Sequence, residues 1–219
     1  MKNIIVVGDS FCQVANGWPL TLATQLELNL ICYGFPGHSW WPVRNKLYSF
    51  DDNVLKDTEY IVVCHTFKDR VLKPEHDNRI AVLDLNNTDD VANREIREAV
   101  KMYYKYIYDP DVINWIEECW FKELSSKFSK HKMVHLHCFS ESWKNRSLLK
   151  GMNVYPNLSA ISLNEFGAKH PSEIAYCGRT NHFSEYNNKM LGLELASFIK
   201  DYHEGDVWLD LTKFEQKTN

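Results

Sequence analysis

Chemistry is first offered ten residues into the chain, where the apolar run Ile4–Val7 stops at Gly8-Asp9-Ser10. A serine hydroxyl becomes a nucleophile when a base removes its proton, and a histidine, whose ordinary pKa is about 6.5, is the usual base. Such a histidine, His182, stands in "CGRTNHFSEYNN", just before the last helical stretch. Between these ends, "GFPGHSWWP" (34–42) follows the second apolar run, and His65-Thr66, with Arg70 close behind, follows the third. A glycine in the first of these loops lets a backbone N–H approach a developing oxyanion without a side chain in the way. Together the residue types suit acyl transfer through a serine.

These residues need elements to hold them. Strand-length apolar runs recur at Ile4–Gly8, Asn29–Gly34, Glu59–Thr66 and Lys132–Phe139, with Leu158–Leu163 as a fifth candidate. Helical spacing is found in Leu20–Leu28 and in two stretches, 90–108 and 111–128, separated at Asp109-Pro110. The last helix runs through "SEYNNKMLGLELASFIKDY", with Ser184 as N-cap and Met190, Leu191, Leu195 and Phe198 on one apolar face. The polar segment His76–Glu95 reads as a surface loop leading into a helix. Strands alternating with helices predict a mostly parallel, five-stranded sheet covered on both faces, with ligands bound beyond the carboxyl ends of the strands. The candidate residues all fall at those ends.

Composition excludes several classes. The 219 residues are 44% hydrophobic and 25% charged, which suits a single domain over 1–219. A net charge of −4 with mixed signs does not describe a nucleic-acid surface. No apolar run approaches the roughly 20 residues of a membrane span, and the short N-terminal run does not read as a signal peptide. The expectation is a soluble, cytoplasmic protein without a membrane or nucleic-acid partner. The six cysteines contain no CxxC pair and several sit in apolar runs, so they read as buried thiols, Cys64 included. "VVGDSFCQVANG" has neither GxGxxG nor P-loop spacing, which argues against a nucleotide enzyme.

"GDSF" after the first strand, the glycine-bearing second loop and "NHFSEYNN" before the final helix resemble the SGNH (GDSL-like) hydrolases. That resemblance implies a flavodoxin-like three-layer α/β/α sandwich and a serine esterase acting on a short acyl ester of a small molecule or carbohydrate, with no cofactor or metal. Ser10 would be the nucleophile and, through its N–H, an oxyanion donor. Gly37, with Gly34 as competitor, would be the second donor, and His182 the base. Asp9 would brace the turn. Asp9, His38, Trp40, Trp41, Arg70 and Arg179 are candidates for contact with substrate.

Two blocks depart from the family pattern. Its asparagine after the third strand is replaced by "CHTFKDR", so Thr66 or His65 would have to be the third donor, assisted by Arg70 if it folds back over the pocket. Loss of one such donor costs on the order of 2.7–4 kcal/mol in the transition state. Arg179 stands where the family has the aspartate three residues before its histidine. A cation there tends to lower the pKa of His182 and cannot accept its Nδ1 proton. Either a backbone carbonyl or another carboxylate, such as Glu185, orients the ring. The alternative function is a binding or structural protein that keeps the hydrolase fold.

Other readings are open in the sequence. Trp40 and Trp41 suit either a stacking wall for a sugar or acyl group or ordinary packing. His135 and His137 share one face of a strand, as two metal ligands would, but without an evident third ligand they read as packed side chains. Tyr103, Tyr104, Tyr106, Trp115, Trp120 and Phe121 read as core and helix-packing residues.

Overall fold

A computed structural model describes residues 1–12, 17–35, 38–68, 70, 94–139, 145–156, 158–161 and 183–215. Its centre is a six-stranded sheet: β1 (Asn3–Gly8), β2 (Asn29–Gly34), β3 (Thr58–His65), β4 (Lys132–His137), β5 (Met152–Tyr155) and β6 (Gly205–Trp208). The order is β2-β1-β3-β4-β5-β6 and every neighbouring pair is parallel. The first five strands follow the 2-1-3-4-5 order of flavodoxin-like folds, with β6 added beside β5.

Helices cover both faces. They are α1 (Trp18–Gln25), α2 (Trp40–Tyr48), α3 (Asp52–Lys56), α4 (Arg94–Tyr106), α5 (Pro110–Lys127) and α6 (Glu185–Lys200). The alternation of β1 separates two cores. Ile4 and Val6 pack with Trp18 and Leu22 of α1 and with Leu191 and Leu195 of α6. Ile5 and Val7 pack with Val43 and Leu47 of α2 and with Phe121 and Leu124 of α5. The four apolar side chains of β1 are fully buried, as expected for a central strand of a parallel sheet.

The helix boundaries follow the local signals. Asp109 caps α5 by accepting from the N–H groups of Asp111 (2.8 Å) and Val112 (3.4 Å), and Pro110 opens the helix. Ser184 caps α6 by accepting from Asn187 N at 3.1 Å. Leu191 and Leu195 are fully buried, with Met190 and Phe198 half-buried beside them. The first helix starts two residues before the expected Leu20, at Trp18-Pro19, because proline suits a first turn.

The sheet corrects the five-strand expectation. Residues 158–161 form a 3₁₀ turn, and the fifth strand is Met152–Tyr155, four residues with a polar Asn153 inside. The sixth, Gly205–Trp208, buries only Val207. Neither is a long apolar run, and each becomes a strand because a neighbour supplies its ladder. Among the expected packing aromatics, Trp120 and Phe121 are buried, whereas Tyr106 and Trp115 face solvent. Cys12, Cys64 and Cys138 are buried thiols, Cys32 is half-buried and Cys119 is exposed; Cys177 lies outside the described residues. Most of the expected loop, 76–93, also lies outside them. No helix among the described residues is long and apolar enough to cross a membrane.

Candidate functional site

The strand order reverses at β1, which has β2 on one side and β3 on the other. The crevice beyond β1 and β3 is therefore the switch point where ligands bind in such sheets. Gly8 has φ +153°, and a Cβ there would collide with the carbonyl oxygen and Cβ of Cys64, whose Cα would be 2.8 Å away. Glycine is required for β1 to turn against β3 at this point. The turn lifts Asp9 and Ser10 to the rim, where Ser10 opens a 3₁₀ turn through Cys12.

Asp9 is the hub of the rim and is 1% exposed. Its Oδ1 accepts from Ser10 N at 2.5 Å and from Ser10 Oγ at 2.6 Å. Its Oδ2 accepts from Thr66 Oγ1 at 2.6 Å and from Arg70 Nη1. Arg70 Nη1 is also 2.9 Å from the carbonyl oxygen of His38 and 2.5 Å from Thr66 Oγ1. A buried carboxylate survives through this kind of pairing: one cation and three further donors replace the lost water. Arg70 does fold back, and its partner in this structure is Asp9.

Ser10, 8% exposed, thus has both hydroxyl and N–H committed to Asp9. Its expected base, His182, lies outside the described residues, as do Gly37 and Arg179. His38 contributes its carbonyl oxygen to Arg70 Nη1, and its ring packs edge-on to Phe35. Trp40 stacks on Trp120 at 5.6 Å and faces the crevice, whereas the ring of Trp41 lies at the surface beside the Arg44 guanidinium. The two rings still pack edge-on to each other at 5.4 Å, with only Trp41 exposed.

His65 turns to the opposite core from Cys64 and joins His135 and His137. The protons in this cluster follow from one carbonyl. Lys150 O, 3.2 Å from His135 Nε2, can only accept, so His135 carries its proton on Nε2. Its Nδ1 is then the acceptor for His65 Nε2–H at 3.0 Å. His137 Nε2 lies 3.2 Å from Asn153 Oδ1. Burial drives all three pKa values down: His135 to about 4, His137 to about 3 and His65 well below its ordinary value, the last also through the neighbouring imidazoles. The cluster is neutral at pH 7. Among the described residues, no His, Cys, Asp and Glu side chains are grouped so as to hold a metal ion.

On the other core, burial and thiol neighbours raise the pKa of Cys64, and burial raises that of Cys138, so both remain protonated core groups. The feature that sequence reasoning missed is a cavity of about 290 Å³ between Trp40, Arg70 and the α4–α5 pair. Its signal was present in Ile107, Ile113 and Ile116, but nothing in helical spacing separates a cavity wall from a packed one.

No family model matches the chain, and no curated protein matches it. Among solved structures, the chain is similar to a protein of Desulfitobacterium hafniense DCB-2 described as a proposed lipolytic protein of the G-D-S-L family. The two are 8% identical over 90% of this chain and 99% of that chain, with a TM-score of 0.45. The fold class rests on topology: a parallel, doubly wound sheet with a serine and a buried, arginine-paired carboxylate at its switch point.

Proposed function

We propose that the chain is a serine hydrolase that cleaves an acyl ester at this switch point. The observation that carries the reading is Ser10 itself, raised to the carboxyl rim by a glycine-only turn and oriented by Asp9. Ser10 Oγ attacks the ester carbonyl carbon while its proton passes to His182. The tetrahedral oxyanion is met by backbone N–H groups of Ser10 and Gly37. Collapse expels the alcohol, which takes the proton back from His182, and water then releases the acid by the same steps. Transfer to a second alcohol uses the same residues.

The reading requires a change at Ser10. Its hydroxyl and N–H must leave Asp9 for base and oxyanion, and Arg70 and Thr66 continue to satisfy the carboxylate when they do. The cluster of His65 with His135 keeps His65 Nε2–H away from the oxyanion in this structure. The engagement of Ser10 by Asp9 also favours a second reading, a binding protein in which the serine is structural.

Hydrolysis of short p-nitrophenyl esters by the wild-type protein, Ser10→Ala and His182→Ala decides between them. The hydrolase reading expects turnover that both substitutions abolish while circular dichroism stays unchanged. Equal background rates in all three folded proteins, with no labelling of Ser10 by a fluorophosphonate, would leave the binding reading.

A further inference from the structure

A cavity of about 290 Å³ lies beside the rim, between Trp40, Arg70 and the α4–α5 pair. Trp40, Ile107, Ile113 and Ile116 supply much of its wall, and Lys68 and Arg70 stand together in it. Arg70 uses Nη1 on Asp9, Thr66 and the His38 carbonyl. Its side chain is nine-tenths buried, yet Nε is a buried donor without a hydrogen-bond partner. Lys68 Nζ donates at 2.6 Å to Asn114 Oδ1, a neutral amide, and pairs with no carboxylate among the described residues. Asp109 also lines the cavity, and its Oδ1 accepts from two N–H groups at the start of α5. A largely apolar cavity thus carries a guanidinium Nε without a hydrogen-bond partner and an ammonium that, among the described residues, pairs with no carboxylate.

From that juxtaposition we infer that the cavity is a binding site for an apolar monocarboxylate. Its hydrocarbon lies between Trp40 and the isoleucines, and its carboxylate accepts from Arg70 Nε and Lys68 Nζ. A guanidinium edge and an ammonium match a carboxylate, since both supply charge-assisted donors and neither accepts. A neutral alcohol of the same length would leave the ammonium without its counter-charge, and an alkylammonium would meet like charges. The acid has two possible sources, release from an ester at Ser10 or supply from elsewhere. The recognition chemistry is the same for both.

The test is a calorimetric and tryptophan-fluorescence titration of the full chain, as wild type and Ser10→Ala, with octanoate, 1-octanol and octylammonium. Octanoate is expected to bind one per chain to both proteins, with 1-octanol at least tenfold weaker and octylammonium weaker still. Lys68→Met should weaken octanoate at least fivefold and leave 1-octanol unchanged. Ile116→Trp, which fills the chamber, should remove octanoate binding. Equal affinity for octanoate and 1-octanol, or octanoate binding unaffected by Lys68→Met, overturns the inference. p-Nitrophenyl octanoate distinguishes the sources and keeps the two readings apart. Hydrolysis of this ester without any binding of octanoate sinks this inference alone, and octanoate binding without hydrolysis sinks the hydrolase alone.

Discussion

Replacing Arg70 by methionine removes the cation from Asp9 while keeping most of the side chain's bulk. Asp9 is 1% exposed and Arg70 10%, so water cannot readily take the place of the guanidinium. Removing one partner of a buried ion pair costs about 3–5 kcal/mol, because the other charge is left uncompensated. Asp9 retains Ser10 N, Ser10 Oγ and Thr66 Oγ1 as donors, which places the expectation toward the lower end of that range. For a chain of this size each kcal/mol shifts Tm by roughly 2–4 °C, so a loss of about 3 kcal/mol corresponds to roughly 6–12 °C. Differential scanning calorimetry of wild type, Arg70→Met, Asp9→Asn and the double variant measures it. The double variant should regain part of the loss, giving a coupling energy of at least about 1 kcal/mol. Adding salt should change the wild-type value little, since a buried pair is weakly screened. A drop below about 2 °C for Arg70→Met, or strictly additive losses in the double variant, would refute the assignment of Asp9 and Arg70 as a coupled buried pair.

Two further outcomes follow from the same geometry. Gly8→Ala combines a left-handed φ with a collision against Cys64, effects worth about 1–3 kcal/mol each, so the variant should melt at least 5 °C below wild type or fail to accumulate folded; a Tm within 1 °C would mean that β1 does not turn as described. The buried histidines bind protons more weakly folded than unfolded, so their contribution is intact above the unfolded pKa of about 6.5 and is lost as pH falls toward the folded values of about 4 for His135 and about 3 for His137. Denaturant melts should therefore show stability falling from pH 7 to pH 4, with His137→Asn flattening the slope; a profile unchanged by that substitution would place His137 outside the titration.

The legible part of this molecule was local. Ile4–Val7 ending at Gly8 marked the central strand and its tip, Asp109-Pro110 marked a helix junction, and Ser184 marked the start of α6. Each depends on a few adjacent residues whose conformational preferences are strong enough to read alone. The positions of Ser10, Asp9, Thr66 and Arg70 at strand ends also followed, because a parallel sheet brings its carboxyl ends to one rim. Less legible were β5 and β6, since a four-residue strand holding Asn153 and another burying only Val207 carry little periodic signal.

The sequence by itself determined the alternation of strand and helix, and with it a doubly wound sheet with polar residues at one edge. Tertiary structure alone decided what those residues do to one another. Arg70 lies 61 residues from Asp9 and reaches it because β1 and β3 are neighbours. The three histidines are neutral because β3 and β4 place them together in a buried face. The chamber beside Lys68 exists because α4 and α5 leave space against Trp40. Charge state, pairing and cavity all depend on which segments become neighbours. That choice is made by the whole core through burial, rather than by propensities at the residues themselves.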